Sequence, residues 1–508
     1  MKRKYILLLF LTAIILCLFP MDRIIVAAQS SLEWAPANSI PFYGDLNPPY
    51  LVADQNYTVH AFNDESIDAG GKIINYRKWT MNSGWSQPTD ILLPNPTINN
   101  PLQGVSLDQD GKFNLIYFGG FIEGGDIYYT RAWASEADRA TAWEKPFIVA
   151  PNAFPLPDAA LIGNGTGDLY VVYVGEGDGL GIYEVHSNDG GDTWSDPTPV
   201  SFLFDANLFP AHIELTLDKE QNLHAVWSIM NERGLGEKVY YARRDVSTGQ
   251  WSEPFLIAAR EGNDYAADWG SIIEYKDLLI IMYMDGTIPA GIPPTRWMRT
   301  SKDGGRTWTE PVQPFPHVGE NGIAVMLIDS SNELHILLAN RVGEPAIGGL
   351  WHGVWLGSSW SDLEMVTART PQEALASGAY ADGNSASRPT AVISQGNVIL
   401  ATWWHDMGDA PPAAFSYAVL DSPVLPAIPL PTPPATEAPS DTTLNSTPTP
   451  VVTTTPTPVF LLTDAEKSTP PDYTPATSLT PVLVSVISAS IIILAIVLIR
   501  WLYYRSSP

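Results

Sequence analysis

Ser187-Asn-Asp-Gly-Gly-Asp-Thr-Trp-Ser-Asp-Pro197 decides how this chain is read, because a near copy returns at Ser301-Lys-Asp-Gly-Gly-Arg-Thr-Trp-Thr-Glu-Pro311. Each reads as a tight turn between two strands. Asp189 and Asp303 are placed to accept hydrogen bonds from backbone N–H groups two residues on. Gly190, Gly191, Gly304 and Gly305 supply the positive φ angles of such a turn. Trp194 and Trp308 then open the outgoing strand with a large apolar anchor.

Outward from these two turns, the tryptophans repeat. Trp34, Trp85, Trp143, Trp194, Trp251, Trp308 and Trp360 recur at spacings of 51, 58, 51, 57, 57 and 52. Most begin one kind of segment: Trp85-Ser-Gln-Pro88, Trp143-Glu-Lys-Pro146, Trp194-Ser-Asp-Pro197, Trp251-Ser-Glu-Pro254 and Trp308-Thr-Glu-Pro311. Seven copies of one unit is the simplest account. Inside the units, turns such as Asp108-Gln-Asp-Gly111 and Asp329-Ser-Ser-Asn332 precede strongly apolar strands such as Leu169–Val174, Leu278–Met284 and Val398–Trp404. Those runs lack polar alternation, so both faces of each sheet are expected to be covered. Four short antiparallel strands per unit describe a propeller blade. The last unit, Arg388 to about Leu420, has three strands, and Leu32–Ile40 is a tryptophan strand with nothing before it. Paired, they close the ring and remove two sheet edges. The expectation for residues 29–422 is an all-β, seven-bladed β-propeller. Six blades is the alternative, because the Trp360 unit lacks its turn glycines.

The pattern Ser-x-Asp-x-Gly-x-Thr-Trp resembles the Asp-box, or bacterial neuraminidase repeat, of sialidases and related β-propellers. The resemblance extends over about 390 residues, strong in the turns and weak at the active site. It implies that the boxes are structural and lie on the rim away from the active site. Chemistry is then expected where first strands begin and on the loops joining second to third strands.

The ends of the chain differ from its middle. The 508 residues carry a formal net charge of −27 and a pI near 4.5, which disfavours nucleic acid and anionic membrane surfaces as partners. Residues 1–28 read as a secretory signal, with basic Lys2-Arg-Lys4, an apolar run from Tyr5 to Phe19 and Val26-Ala-Ala28 as the cleavage site. Cys17, the single cysteine, falls in this segment, so neither disulfides nor cysteine-ligated metal are expected in the remainder. Residues 423–481 read as a disordered proline- and threonine-rich linker. Val482–Ile499 reads as a transmembrane helix, with Arg500 and Arg505 placing the tail, 500–508, in the cytoplasm. The organisation expected is a propeller tethered to the cell surface by a single pass. Asn445-Ser-Thr447 is a glycosylation sequon within the linker.

Asp158, His212, Glu214, Asp268, Trp269, Glu320 and Arg388 fall where first strands begin, and Asn231-Glu-Arg233, Asn340-Arg341 and His405-Asp406 on loops. Sialidases hold the sugar carboxylate with three arginines, for which paired N–H donors suit. The resemblance therefore implies Arg233, Arg341 and Arg388 as that cluster, and Tyr380 with Glu232 or Glu320 as the nucleophile pair. It implies Asp158 or Asp406 as the acid/base. The family's Phe-Arg-Ile-Pro motif is missing: Asn47-Pro-Pro-Tyr50 stands there, and Ser387-Arg-Pro389 echoes it out of order. Trp269, with Trp351, Trp355, Trp403 and Trp404, offers surfaces for stacking on sugar rings. His60, His224 and His335 share one repeat position, which favours packing over metal binding. No cofactor or metal is expected. The function these features suggest is a glycan-directed, sialidase-like propeller, either a divergent exo-glycosidase or a glycan-binding relative. A non-catalytic adhesion or protein-interaction module is the alternative.

Overall fold

The computed structural model describes residues 32–44, 47–67, 71–94, 101–121, 124–156, 158–260, 265–287, 295–315, 318–319, 324–342, 347–368, 387–404 and 413–433. The expected signal segment, most of the linker and the expected transmembrane helix lie outside them. Among the described residues no helix is long and apolar enough to cross a membrane.

Apart from two short 3-10 turns at Ala134–Glu136 and Ala140–Ala142, the regular structure among the described residues is β. Tyr50–Ala53, Val59–Ser66, Lys72–Thr80 and Thr89–Leu92 form an antiparallel sheet with Gly84–Trp85 at its outer edge. Leu102–Leu107, Lys112–Phe121, Gly124–Trp133 and Phe147–Ala153 follow, joined through one pairing of Ala153 with Gly175 to Ala159–Gly163, Leu169–Gly175, Gly181–Ser187 and Thr198–Phe202. Leu208–Leu217, Leu223–Asn231, Gly236–Arg244 and Phe255–Ala259 make a separate sheet. Tyr265–Tyr275, Leu278–Thr287 and Thr295–Ser301 connect through Val318–Gly319 to Leu334–Val342, which lies between Ala324–Ile328 and Ile347–Val354, with Glu364–Ala368 outermost. Ser387–Ser394, Val398–Trp404 and Ala413–Val419 are completed by Asn38–Ser39 from the other end of the chain. Asn38 lies opposite Phe415, and Trp34 bridges to Ala418.

The second strands are apolar on both faces because neighbouring sheets cover both. Phe62 and Tyr76 pack with Phe113 and Leu115 of the next sheet, and Ile116 and Tyr129 with Val171 and Tyr183. Tyr170 and Val172 meet Ala225 and Trp227, and Val226 and Tyr241 meet Ile281 and Tyr283. Ile280 and Met282 meet Leu334 and Ile336, Leu337 meets Ile399, and Leu400 returns to Val59 and Trp79. The packing therefore runs round a closed ring, the arrangement of a β-propeller. Each buried aromatic at these seams carries weight: truncating a side chain such as Trp227 to alanine costs about 3–5 kcal/mol.

The two repeated turns show how successive sheets are fastened. Asp189 Oδ1 accepts the Thr193 N–H at 2.9 Å, four residues on rather than the expected two, and Oδ2 accepts the Thr193 hydroxyl at 2.6 Å. Ser187 Oγ donates to Asp189 at 2.8 Å and accepts the Gly191 N–H at 2.9 Å. Ser301, Asp303, Gly305 and Thr307 repeat every one of these bonds. The wider span arises because Gly190 and Gly191, at φ 70° and 89°, carry the chain round one more turn before it meets the carboxylate. A Cβ on Gly305 would lie 1.7 Å from the Tyr241 hydroxyl, so the bare glycine lets the turn seat against the preceding sheet. Trp308 then packs edge-on against Tyr241 at 4.9 Å, as Trp194 does against Tyr129 at 5.1 Å.

The beginning of the expected linker is not free. Leu425 N–H donates to the Gln395 carbonyl and Ile428 N–H to the Gln55 carbonyl, each at 2.8 Å. Pro431 accepts the Ser135 hydroxyl at 3.0 Å, and Leu430 joins the core between the first two sheets. An extended proline-rich strand cannot build a core of its own, but it can lie along an existing surface whose polar groups meet its backbone. The boundary expected at 423 thus moves to at least 433.

Candidate functional site

Three innermost strands carry the same irregularity. Strand register slips between Ala211 and Glu214, between Asp268 and Ser271, and between Ser387 and Thr390. At these bulges His212, Trp269 and Arg388 adopt φ of 55°, 53° and 47°. None is glycine or asparagine, so each costs about 1–3 kcal/mol of backbone strain that the surroundings must offset. A bulge re-aims a side chain out of the alternating pattern. Here the three re-aimed side chains are an imidazole, an indole and a guanidinium, on separate sheets.

They belong to one constellation. His212 Nδ1 lies 2.8 Å from Asp268 Oδ1, and its ring stacks on Trp269 with centroids 3.5 Å apart and planes 16° from parallel. Burial opposes charge on His212, but the hydrogen bond and charge of Asp268, joined by Asp158, outweigh it and hold its pKa above the usual value. Arg388 is close enough to pull that value back, and its guanidinium donates to the Asn47 side chain. A protonated imidazole against an indole face gains cation–π attraction as well as stacking.

Asp158 sits beneath His212. Its two carboxylate oxygens accept the backbone N–H groups of His212, at 2.6 Å, and Ile213, at 3.0 Å. Burial, opposed by His212 and these N–H groups, leaves its pKa raised. With both oxygens occupied, Asp158 clamps one sheet to the next rather than presenting a proton. Gln103 does the same one sheet earlier, accepting the Ala159 N–H at 3.0 Å, and Asp64 accepts the Leu102 N–H at 3.1 Å. The acid beside this constellation is Glu214, half-buried near Asp158 and His212. Burial first, then the Asp158 charge, raise its pKa to about 7. Tyr50, 40% exposed, donates its hydroxyl to the Gln103 carbonyl at 3.1 Å. Burial of that hydroxyl and the nearby carboxylates raise its pKa, so it stays a neutral donor.

Of the residues expected from sequence, Asp158, Trp269 and Arg388 are brought together here. Glu232 and Arg233 are not: they lie exposed on the turn between Leu223–Asn231 and Gly236–Arg244, where Glu232 lines a separate cavity of about 380 Å³ with Phe154, Phe204 and Phe209. Arg341 is in register with Gly348 and Gly319 in the backbone. Tyr380, Glu320 and Asp406 lie outside the described residues. Trp351, Trp355 and Trp403 are buried, which removes them as stacking surfaces; Trp355 and Trp403 fill seams between sheets instead. His60 and His224 are packing residues. Each pairs one ring nitrogen with an aspartate, at 3.1 Å, and the other with a tyrosine hydroxyl. Tyr50 was passed over because its stretch was read for a missing arginine. Its place at the beginning of a first strand was the available signal.

No family model matches the chain, and no curated protein resembles it. Solved structures do. An ulvan lyase of a new polysaccharide lyase family, bound to a saccharide of glucuronate and sulfated rhamnose, aligns at 13% identity with a TM-score of 0.50, covering 76% of this chain and 97% of that one. The BP39L lectin of Burkholderia pseudomallei aligns at 13% identity with a TM-score of 0.49, over 74% and 97%. A Trypanosoma rangeli sialidase in complex with sialic acid aligns at 11% identity with a TM-score of 0.40, over 76% and 59%. The likeness to the lyase is one of fold.

Proposed function

We propose that this chain is a glycan-directed β-propeller of seven blades that binds a sugar at the His212, Trp269 and Arg388 bulges. The observation that carries the reading is the set of three strained bulges, at His212, Trp269 and Arg388, with His212 stacked on Trp269 and within electrostatic reach of Arg388. Strain held at three separate sheets to present an indole, an imidazole and a guanidinium is the signature of a site rather than of packing. The indole face suits the apolar face of a pyranose, and Arg388 and His212 suit a hydroxyl or carboxylate. The fold shared with a polysaccharide-cleaving protein supports the same class of ligand. In this reading the Ser-x-Asp-x-Gly-x-Thr-Trp turns are Asp-boxes, and the segments 1–28 and 482–499 export the propeller and tether it to the cell surface.

Glu214 favours a second, narrower reading, in which the bound glycan is also cleaved. A carboxyl with a pKa near 7 holds its proton at the pH where a general acid is needed. Sialidase-type cleavage would further require Arg233 and Arg341 to join Arg388, and Tyr380 to pair with a carboxylate. The test is a glycan array probed with the purified full-length chain, followed by fluorogenic glycosides, sialosides included, of the sugars bound. Binding lost in Trp269→Ala and Arg388→Ala supports the site. Turnover lost in Glu214→Gln with binding retained supports the enzyme. A folded chain that binds no glycan refutes both and leaves the adhesion module.

A further inference from the structure

The turn between first and second strands holds a recurring trio. Asp54 Oδ2 accepts His60 Nε2–H at 3.1 Å, which leaves Nδ1 to accept the Tyr76 hydroxyl at 2.6 Å. Asp218, His224 and Tyr241 repeat the arrangement at 3.1 and 2.7 Å. Four residues after each aspartate stands a side chain without charge, Thr58 or Asn222, and Asn222 also donates to Asp218 at 2.8 Å.

The third occurrence departs from this at both ends. His352 stands where the tyrosines stand, its Nε2 3.1 Å from His335 Nδ1. Glu333 stands where Thr58 and Asn222 stand. The aspartate–histidine distance opens to 3.6 Å, and His335 Nε2, on a residue 3% exposed, has no hydrogen-bond partner although it faces Asp329. The Glu333 backbone N–H donates to Asp329 Oδ1 at 2.8 Å, as its counterparts do in the sister turns, but its side chain has no hydrogen to give and adds a second negative charge beside the buried carboxylate. Among the described residues neither acid is ion-paired with a lysine or arginine. Yet one ligand atom from each of Asp329, Glu333 and His335 lies within 4.8 Å of the other two. Two carboxylates and a bare imidazole nitrogen, gathered where the sister sites are satisfied by neutral donors, lack only a cation.

We propose that Asp329, Glu333 and His335 form a binding site for a divalent transition-metal ion, zinc in the first instance. One imidazole and two carboxylates suit Zn²⁺ or Mn²⁺ and balance the charge of either. His352 is the outer partner: accepting Nδ1–H of His335 fixes the tautomer that leaves Nε2 free to ligate. The next residue, Ser330, donates its N–H to the Gly396 carbonyl at 2.9 Å and its hydroxyl to the Pro423 carbonyl. The ion would therefore brace the turn against the sheet that closes the ring.

The experiment is calorimetric titration of the chelator-treated full-length chain with Zn²⁺, then Mn²⁺, for wild type and for Glu333→Gln. Glu333 is exposed, so the variant is expected to fold. One Zn²⁺ site, weakened at least tenfold in Glu333→Gln, is the expected result. Co²⁺ should give visible d–d absorption that saturates at a lower Co²⁺ concentration in the wild type than in the variant. No binding of either ion, or binding that Glu333→Gln leaves unchanged, overturns the proposal.

Discussion

Replacing Glu214 by glutamine should change how stability depends on pH. In the folded protein this carboxyl titrates near 7 instead of 4.5, because burial and Asp158 disfavour its charge. Between those values the folded chain keeps a proton that the unfolded chain releases. Stability is then full below pH 4.5, falls as pH rises, and levels off above 7. The interval corresponds to about 3 kcal/mol, reduced to about 2 by partial contact with solvent. Glutamine has no proton to lose, so the variant should lack this decline while keeping the parts due to His212 and other groups. Urea unfolding of both chains at about pH 4.5, 6 and 8 reads the difference directly. The wild type should lose about 2–3 kcal/mol more than the variant across that range. Parallel curves would refute the reasoning, because Glu214 would then ionise as in water and would not be desolvated as described above.

Gly305→Ala should cost about 2–4 kcal/mol, since its Cβ would strike the Tyr241 hydroxyl at a φ of 81°, and thermal unfolding will show the loss. Asp189 and Asp303 are held down to about 2 by their hydrogen bonds, chiefly from Thr193 and Thr307. Their contribution is present above pH 3.8 and lost as pH falls through 2, so an acid titration should find wild type and an Asp189→Asn, Asp303→Asn double variant converging there. Ending the chain after Asp421 should lower the melting temperature by several degrees, because it removes the bonds of Leu425, Ile428 and Pro431. An unchanged melting temperature would mean that the segment adds nothing to the ring.

The repeat was legible because it is written in residue types that leave few options. Paired glycines after Ser-x-Asp permit one family of turns, and a tryptophan every fifty-odd residues marks where each turn seats. The closing of the ring by Leu32–Ile40 followed from an unpaired strand at each end. The site was legible only in part. Asp158, Trp269 and Arg388 were singled out because they lie near the entries of first strands, but nothing in the types His, Trp and Arg announces a left-handed backbone. That conformation is imposed by the slip in strand register. The partners of Asp158 are backbone N–H groups of another sheet, which no side-chain pattern records. Glu214 gains its chemistry from neighbours distant in sequence. The docked stretch 423–433 was hidden because proline and threonine content reports the inability to form a core, not the ability to lie on one.

That docked stretch changes how the protein would respond to force. A pull applied beyond residue 433 does not reach Ala413–Val419 first. It meets the contact of Pro431 with Ser135, then the Ile428–Gln55 bond, then the Leu425–Gln395 bond, which hold to three different places on the ring. These give way one at a time, like stitches, and each release lengthens the free chain and relaxes the load. Only when these and the bond of Ser330 to the Pro423 carbonyl have parted would tension fall on the seam where Asn38–Ser39 completes the last sheet. The ring thus carries a fuse ahead of its clasp, and the stitches can re-form when the pull ends.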